Sequence, residues 1–271
     1  MKNKIKIDDI YVGEGEKPFI VAELSANHNG SIDLAKDTLL SAKKCGADAV
    51  KIQTYSADTM TIKCNNDEFK ITDGLWKGYE LYDLYKWAET PFEWHKEIFN
   101  FARQNKIILF STPFDETAVD LLEDLNAPAY KIASFEATDL QLIKYVASTK
   151  KPLIISTGLA NFQEISELVE TAKESGCNQL ILLHCVSSYP APIKDTNLRT
   201  MQDISNKFNV PVGLSDHTIG NTTSLAAIAL GACMIEKHFI LSKSIKSADA
   251  EFSLTPHDLE SLCNEANNVY N

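Results

Sequence analysis

Two apolar runs late in the sequence, PVGLSDHTIG and CMIEKHFI, each lead to a histidine, His217 and His238. Neutral imidazole is the commonest side-chain metal ligand. Two such ligands leave positions open for water and substrate, as a catalytic metal requires. With oxygen donors completing the shell, Mn²⁺ or Mg²⁺ suits the pair better than a closed zinc site. A pair of satisfied core histidines is the other reading, and spacing alone does not separate the two. Lysines lie in two further apolar runs, Lys51 in AVKIQTY and Lys131 in AYKIAS. Lysine is rarely buried fully unless it is paired. Hydroxyls stand at the ends of the neighbouring runs: Ser111, Thr112, Ser134, Ser156, Thr157, Ser187 and Ser215. Ammonium groups supply point charge to phosphate and hydroxyls supply directed donors, so together they would hold a small polyanion. Other run ends carry Glu23, Gln53, Glu136, His184, Tyr189, Asp216 and Glu236. Any one of these could be an ordinary strand-end cap; the lysines are the hardest to explain that way.

Such residues meet only if the elements bring them to one place. Eight short apolar runs recur: FIVAEL (19–24), AVKIQTY (49–55), IILFSTPF (107–114), AYKIAS (129–134), PLIISTG (152–158), LILLHCVSS (180–188), PVGLSDH (211–217) and CMIEKHFI (233–240). Helical periodicity lies between them. In SIDLAKDTLLSAKKCGA the stripe is Leu34, Thr38, Leu39 and Ala42. In NFQEISELVETAKESG it is Ile165, Leu168, Val169 and Ala172, with Gly176 as the stop. Strands alternating with helices pair in parallel. Eight such units predict an α/β fold, a closed (β/α)8 TIM barrel, whose chemistry sits at the C-terminal ends of the strands. A doubly wound sheet fits less well, because no GxGxxG turn follows the first strand. The stretch 56–90 breaks the rhythm, and a loop that long points to function. Its aromatic residues Trp76, Tyr79, Tyr82, Tyr85 and Trp87 would form either a lid over a sugar or the packing of the insert itself.

The chain has 271 residues, with 26 Lys+Arg against 37 Asp+Glu and a formal net charge of -11. That balance argues against nucleic acid, though not against an anionic small substrate in a locally positive pocket. None of the six cysteines forms a CxxC pair, so the thiols read as reduced and the location as cytoplasmic. The N-terminal stretch has no continuous apolar core of a signal peptide, and no run is long enough to span a membrane.

Several long segments, in order, carry a resemblance: FIVAELSANHNGSIDLAKDTLLSAKKCGADAVKIQTY, STPFDETAVDLLEDL, AYKIASFEATDLQLI, STGLA, VSSYPAP, VGLSDHTIG, ALGACMIEKHF and SADAEFSLTP. From about residue 17 onward the chain resembles the sialic acid synthase family. GLWKGYELYDLYKWAETPFEWHKEIF and KSADAEFSL resemble the branch of it that makes pseudaminic acid. The resemblance implies that phosphoenolpyruvate condenses with the open-chain aldehyde of an amino sugar, 2,4-diacetamido-2,4,6-trideoxy-L-altrose. Phosphate leaves with C–O cleavage and a nine-carbon 2-keto acid, pseudaminate, results. It also implies a divalent cation, Mn²⁺ or Mg²⁺, held by His217 and His238. Lys51, Thr112, Lys131, Ser134, Ser156, Ser187 and Ser215 match family residues that bind phosphoenolpyruvate. Gln53, Tyr189 and Asp249 match residues near the sugar, and Glu23 and Glu136 are the expected catalytic carboxylates.

Family members usually continue into a small antifreeze-like (SAF) domain, which gives an arginine to the partner subunit of a swapped homodimer. This sequence stops at NEANNVYN, so the expectation is a single barrel domain over 1–271 without that domain or its arginine. Competing readings are an N-acetylneuraminate or legionaminate synthase, a non-enzymatic barrel that binds phosphorylated ligands, and a Schiff-base aldolase using Lys51 or Lys131.

Overall fold

Short apolar strands, each followed by a helix with one apolar stripe, pair in parallel, and a parallel sheet loses its free edges only by closing. The computed structural model, which describes residues 4–271, shows that closure. Two strands come first, β1 (Ile5–Ile7) and β2 (Ile10–Val12). Then follow β3 (Phe19–Glu23), β4 (Ala49–Thr54), β5 (Ile108–Pro113), β6 (Tyr130–Ile132), β7 (Leu153–Ser156), β8 (Leu180–Cys185), β9 (Val212–Ser215) and β10 (Met234–His238). The last eight close in the order β10-β3-β4-β5-β6-β7-β8-β9. Each corresponds to one of the eight apolar runs. The helices are α1 (Ile32–Lys44), α2 (Ala57–Met60), α3 (Leu81–Ala88), α4 (Phe92–Gln104), α5 (Glu116–Asp124), α6 (Leu140–Ser148), α7 (Phe162–Glu174), α8 (Thr200–Phe208), α9 (Thr222–Ala229) and α10 (Pro256–Tyr270).

The stripe predicted for α7 is the buried face, and Gly176 follows the helix at φ +102°. Asn161 and Glu164 form a reciprocal cap at its start. On α1 the buried set is Ala35, Thr38, Leu39 and Ala42, so Ala35 takes the place expected for Leu34. One residue is 100° of helix rotation, enough to carry the larger side chain to the edge of the buried face. Helices α2 and α3 lie inside the 56–90 insert, which is also tied by an antiparallel bridge between Lys70 and Glu80.

Side chains alternate across each strand and sort into two apolar bodies. Ile20, Val50, Ile52, Leu109, Ile155 and Ile235 face outward and pack with the helices. Val21, Ala49, Phe110, Ala129, Ile154 and Met234 face inward. The β1–β2 hairpin was not anticipated. It turns at Asp8, which has φ +51°, and pairs antiparallel from Ile5 with Val12 to Ile7 with Ile10. Ile5, Ile7 and Val12 join the inward body beside Phe19 and Cys233, and so plug the N-terminal end of the barrel. Three-residue strands lie below the length at which periodicity is readable.

Candidate active site

Parity makes the inward layer above the apolar plug polar. Glu23 tops β3 and is level with Lys51 of β4 on one side and His238 of β10 on the other. Glu236 is level with Ser215, and Gln53 with Thr112. The Lys51 ammonium lies 2.8 Å from Glu23 Oε2, as an ion pair rather than an aligned hydrogen bond, and 3.5 Å from Glu236 Oε1. It donates to Thr112 Oγ1 at 2.9 Å. Gln53 Nε2 donates to Glu23 Oε1 at 3.2 Å, and Ser215 Oγ to Glu236 Oε1 at 3.2 Å. Apart from the half-buried Gln53, all of these groups are almost completely buried. Burial alone would push the Lys51 pKa down, but Glu23 and Glu236 outweigh it and hold the group above the ordinary lysine range. For Glu236 burial opposes ionisation, yet Lys131 and Lys51 hold its pKa at about 2.

Lys131 stands apart. It is buried, and its Nζ donates to the carbonyl of Ile132 at 3.1 Å. Among the described residues no carboxylate forms an ion pair with it. Glu236 attracts it from farther off, but burial dominates and pushes its pKa down. A dry ammonium without a bonded counter-charge is costly. Around it lie hydroxyls and carboxylates with spare capacity: Ser156 Oγ, Glu136 Oε2 and Glu236 Oε2 are buried without hydrogen-bond partners. Such groups concentrated in one place mark a site for a polar ligand. Ser134 Oγ accepts from Leu159 N at 2.9 Å and from Ser187 Oγ at 3.2 Å. Gly158 lets these turns close, since a Cβ there would lie 2.5 Å from Cys185 Sγ and 2.9 Å from Ser187 Oγ. Glu136, on a turn after β6, has its pKa raised to about 7 by burial.

The two histidines meet above this layer, ring centroids 5.6 Å apart. His217 Nδ1 lies 3.0 Å from the carbonyl of Val186, which only an N–H can satisfy, so Nε2 carries the lone pair. Burial, then His238, lowers the His217 pKa to about 4, leaving the ring neutral as a metal ligand must be. His238 Nδ1 makes no hydrogen bond and lies 3.5 Å from Asp249 Oδ2. The free Nε2 of a neutral His217 and the unbonded Nδ1 of His238 beside a carboxylate fit a divalent cation held by two imidazoles. Among the described residues no group of three or more His, Cys, Asp or Glu could hold a metal, so a closed protein site is not formed. Tyr189 packs 4.4 Å from His217, centroid to centroid, and Phe252 lies 4.8 Å from His238.

All fourteen residues singled out in the sequence therefore lie in this polar layer or on the turns and segments around its rim. Several other polar run ends do not, for reasons of parity. Lys237 and Asp216 face outward and pair at 2.9 Å, with Ser224 of α9 donating to the same Asp216 oxygen at 2.6 Å. His184 Nε2 is bonded to Thr196 O at 2.7 Å on the outer face. Ser111 Oγ joins Thr54 at 2.6 Å, and Thr54 in turn meets His95 Nε2 at 2.8 Å. Glu236 was legible as a run end but had no role assigned; its parity with His238 on β10 was the available signal. Phe252 carried no signal.

The sequence profile of the NeuB family matches residues 38–271. A pseudaminic acid synthase of Campylobacter jejuni is 48% identical over 239 residues, covering 88% of this chain and 70% of that protein. A pseudaminic acid synthase of Helicobacter pylori is 47% identical over 247 residues, covering 91% of this chain and 73% of that protein. Among solved structures, an N-acetylneuraminic acid (sialic acid) synthetase of Leptospira borgpetersenii in complex with citrate superposes with a TM-score of 0.90 at 30% identity, over 99% of this chain and 89% of that one.

Proposed function

The chain belongs to the NeuB family, and we propose that within it the chain works as a pseudaminic acid synthase, condensing phosphoenolpyruvate and water with 2,4-diacetamido-2,4,6-trideoxy-L-altrose to give pseudaminate and phosphate. The observation that carries the reading is Lys131, a buried ammonium bonded only to a carbonyl beside the Lys51 network. A small, highly charged acid is the ligand that repays its desolvation. In this reading Lys51 and Lys131 take the phosphate and carboxylate, and Thr112, Ser134, Ser156, Ser187 and Ser215 supply hydroxyl donors. Gln53, Tyr189 and Asp249 border the aldehyde sugar.

The enol carbon C3 forms a bond to the aldehyde carbon, the aldehyde oxygen gains a proton, water adds at C2, and the C2–O bond breaks as phosphate departs. Glu23 and Glu236 place negative charge near C2 as it becomes electron-poor. Glu23, at the end of an apolar strand, and Glu136 are the two carboxylates that could take the water's proton. The environment of Glu136, with its pKa near 7, favours Glu136 for that transfer, and Glu23 for the charge. A divalent cation of the Mn²⁺ or Mg²⁺ class, held by His217 and His238, would supply Lewis-acid polarisation of the aldehyde oxygen. The six free thiols and the phosphoenolpyruvate substrate favour a cytoplasmic location; no helix among the described residues is long and apolar enough to cross a membrane.

The test is phosphate release from phosphoenolpyruvate with a panel of aldehyde sugars, with and without Mn²⁺. The altrose derivative should be preferred over the precursors of N-acetylneuraminate and legionaminate, and preference for one of those would reassign the product. Oxygen-18 in the C2–O bridge should leave with phosphate; retention in the keto acid would overturn C–O cleavage.

A further inference from the structure

Five aromatic residues of the 56–90 insert fit either a lid or simple packing, and the structure divides them. Tyr79 and Trp87 stack on each other, with centroids 5.8 Å apart and planes 8° from parallel. Tyr82 donates to Asp58 at 3.1 Å and Tyr85 packs edge-on to Tyr55. The first three hold the insert together, and Tyr85 seats it on Tyr55 just past β4. Trp76 reaches out of it toward the mouth of the barrel. Its indole N–H donates to the carbonyl of Ala248 at 2.8 Å, and its ring lies 5.8 Å from that of Tyr189.

Ala248 precedes Asp249, the carboxylate beside His238. That segment is tied to the barrel from its inner side. Asn27 Nδ2 donates to Ser253 Oγ at 2.8 Å, Ser253 Oγ to the Asp249 carbonyl at 2.6 Å, and Ser247 Oγ to Asn27 Oδ1. Asp249 Oδ2 also accepts from Ala26 N at 3.4 Å. Trp76 grips the same segment from the insert. One side chain therefore touches both flanks of the mouth, Tyr189 through its ring and the Asp249 segment through its N–H. Lys51 and Lys131 lie in the layer below and share no contact with it.

We propose that Trp76 is a positioning residue that latches the insert onto the Asp249 segment and so sets where the aldehyde sugar sits against Tyr189 and His238. The inference rests on the function proposed above for its sugar, but not for its latch. Two variants separate the two contacts: Trp76→Phe keeps a ring and removes the donor, and Trp76→Ala removes both. In Trp76→Phe the KM for the sugar should rise about fivefold, the worth of one neutral hydrogen bond, and in Trp76→Ala several times further. The KM for phosphoenolpyruvate should not change in either. Tyr82→Phe, which removes a hydrogen bond elsewhere in the insert, should leave both constants alone.

Hydrogen exchange of the backbone amides at 245–252, measured on the protein with no substrate, should speed up in both Trp76 variants. Unaltered exchange, an unaltered sugar KM, or a parallel rise in the KM for phosphoenolpyruvate would each overturn the proposal. Absence of turnover by the unaltered protein with every sugar would instead count against the reaction, while the exchange measurement would still decide the latch.

Discussion

Replacing Lys131 by methionine should weaken phosphoenolpyruvate binding and stabilise the fold, and the opposite signs make it an informative change. The folded chain holds this ammonium dry, with one carbonyl as acceptor at 3.1 Å, and burial lowers its pKa against the weaker pull of Glu236. The unfolded chain holds it in water near its usual lysine pKa. A lysine whose folded pKa lies below its unfolded value costs stability at every pH where the unfolded group is charged, and neutral pH falls within that range. Methionine has a similar length and no charge, so the melting temperature should rise. Binding responds the other way. A charge-assisted hydrogen bond is worth about 1.5–3 kcal/mol, so the dissociation constant for phosphoenolpyruvate should rise roughly 10- to 150-fold. Calorimetric titration without sugar and a thermal melt at pH 7 measure the two effects. Unchanged affinity, or a melting temperature that falls, would refute the argument that this charge is held for a ligand rather than for the fold.

Four further outcomes follow from the site and the plug. Glu136→Gln should remove a limb near pH 7 from the kcat/KM profile, since the raised pKa puts loss of the Glu136 proton there; retention of that limb would assign it to another group. Because the raised pKa favours the protonated folded form, the unaltered protein should lose stability as pH climbs from about 4.5 through 7, and the glutamine variant should lose less. His238→Ala should abolish Mn²⁺ binding read by electron paramagnetic resonance, together with metal-dependent turnover; a variant that still binds and turns over removes the ligand assignment. Ile7→Ala opens a cavity beneath the barrel and should cost about 2–5 kcal/mol in denaturant unfolding, with the KM for phosphoenolpyruvate unchanged because the plug lies below the polar layer.

The barrel was readable because each of its strands is a run such as AVKIQTY or LILLHCVSS, buried on both faces, and each helix keeps a single stripe, as α7 does. The hairpin at Ile5–Val12 was not readable, since three residues per strand carry no period and its turn uses two aspartates. The site residues were legible as polar interruptions of apolar runs. Parity sorts them further: His238 and Glu236 share a face of β10 that Lys237 does not. Counting by twos along a strand gives the face but not the centre it looks toward, so Glu236 was a polar run end without a role.

Sequence by itself determined the elements of the barrel, their parallel order and the set of polar side chains at their ends, because those follow from the pattern of apolar and polar residues along one stretch of chain. Only the closed barrel decided that Lys51 is neutralised by Glu23 and Glu236 while Lys131 has no ion-pair partner among the described residues, and that one tryptophan of the insert reaches the Asp249 segment. Those outcomes depend on the stagger at which eight strands meet and on where a distant loop lands, and the partners of Lys51 and Trp76 lie tens to hundreds of residues from them, beyond the reach of any local pattern.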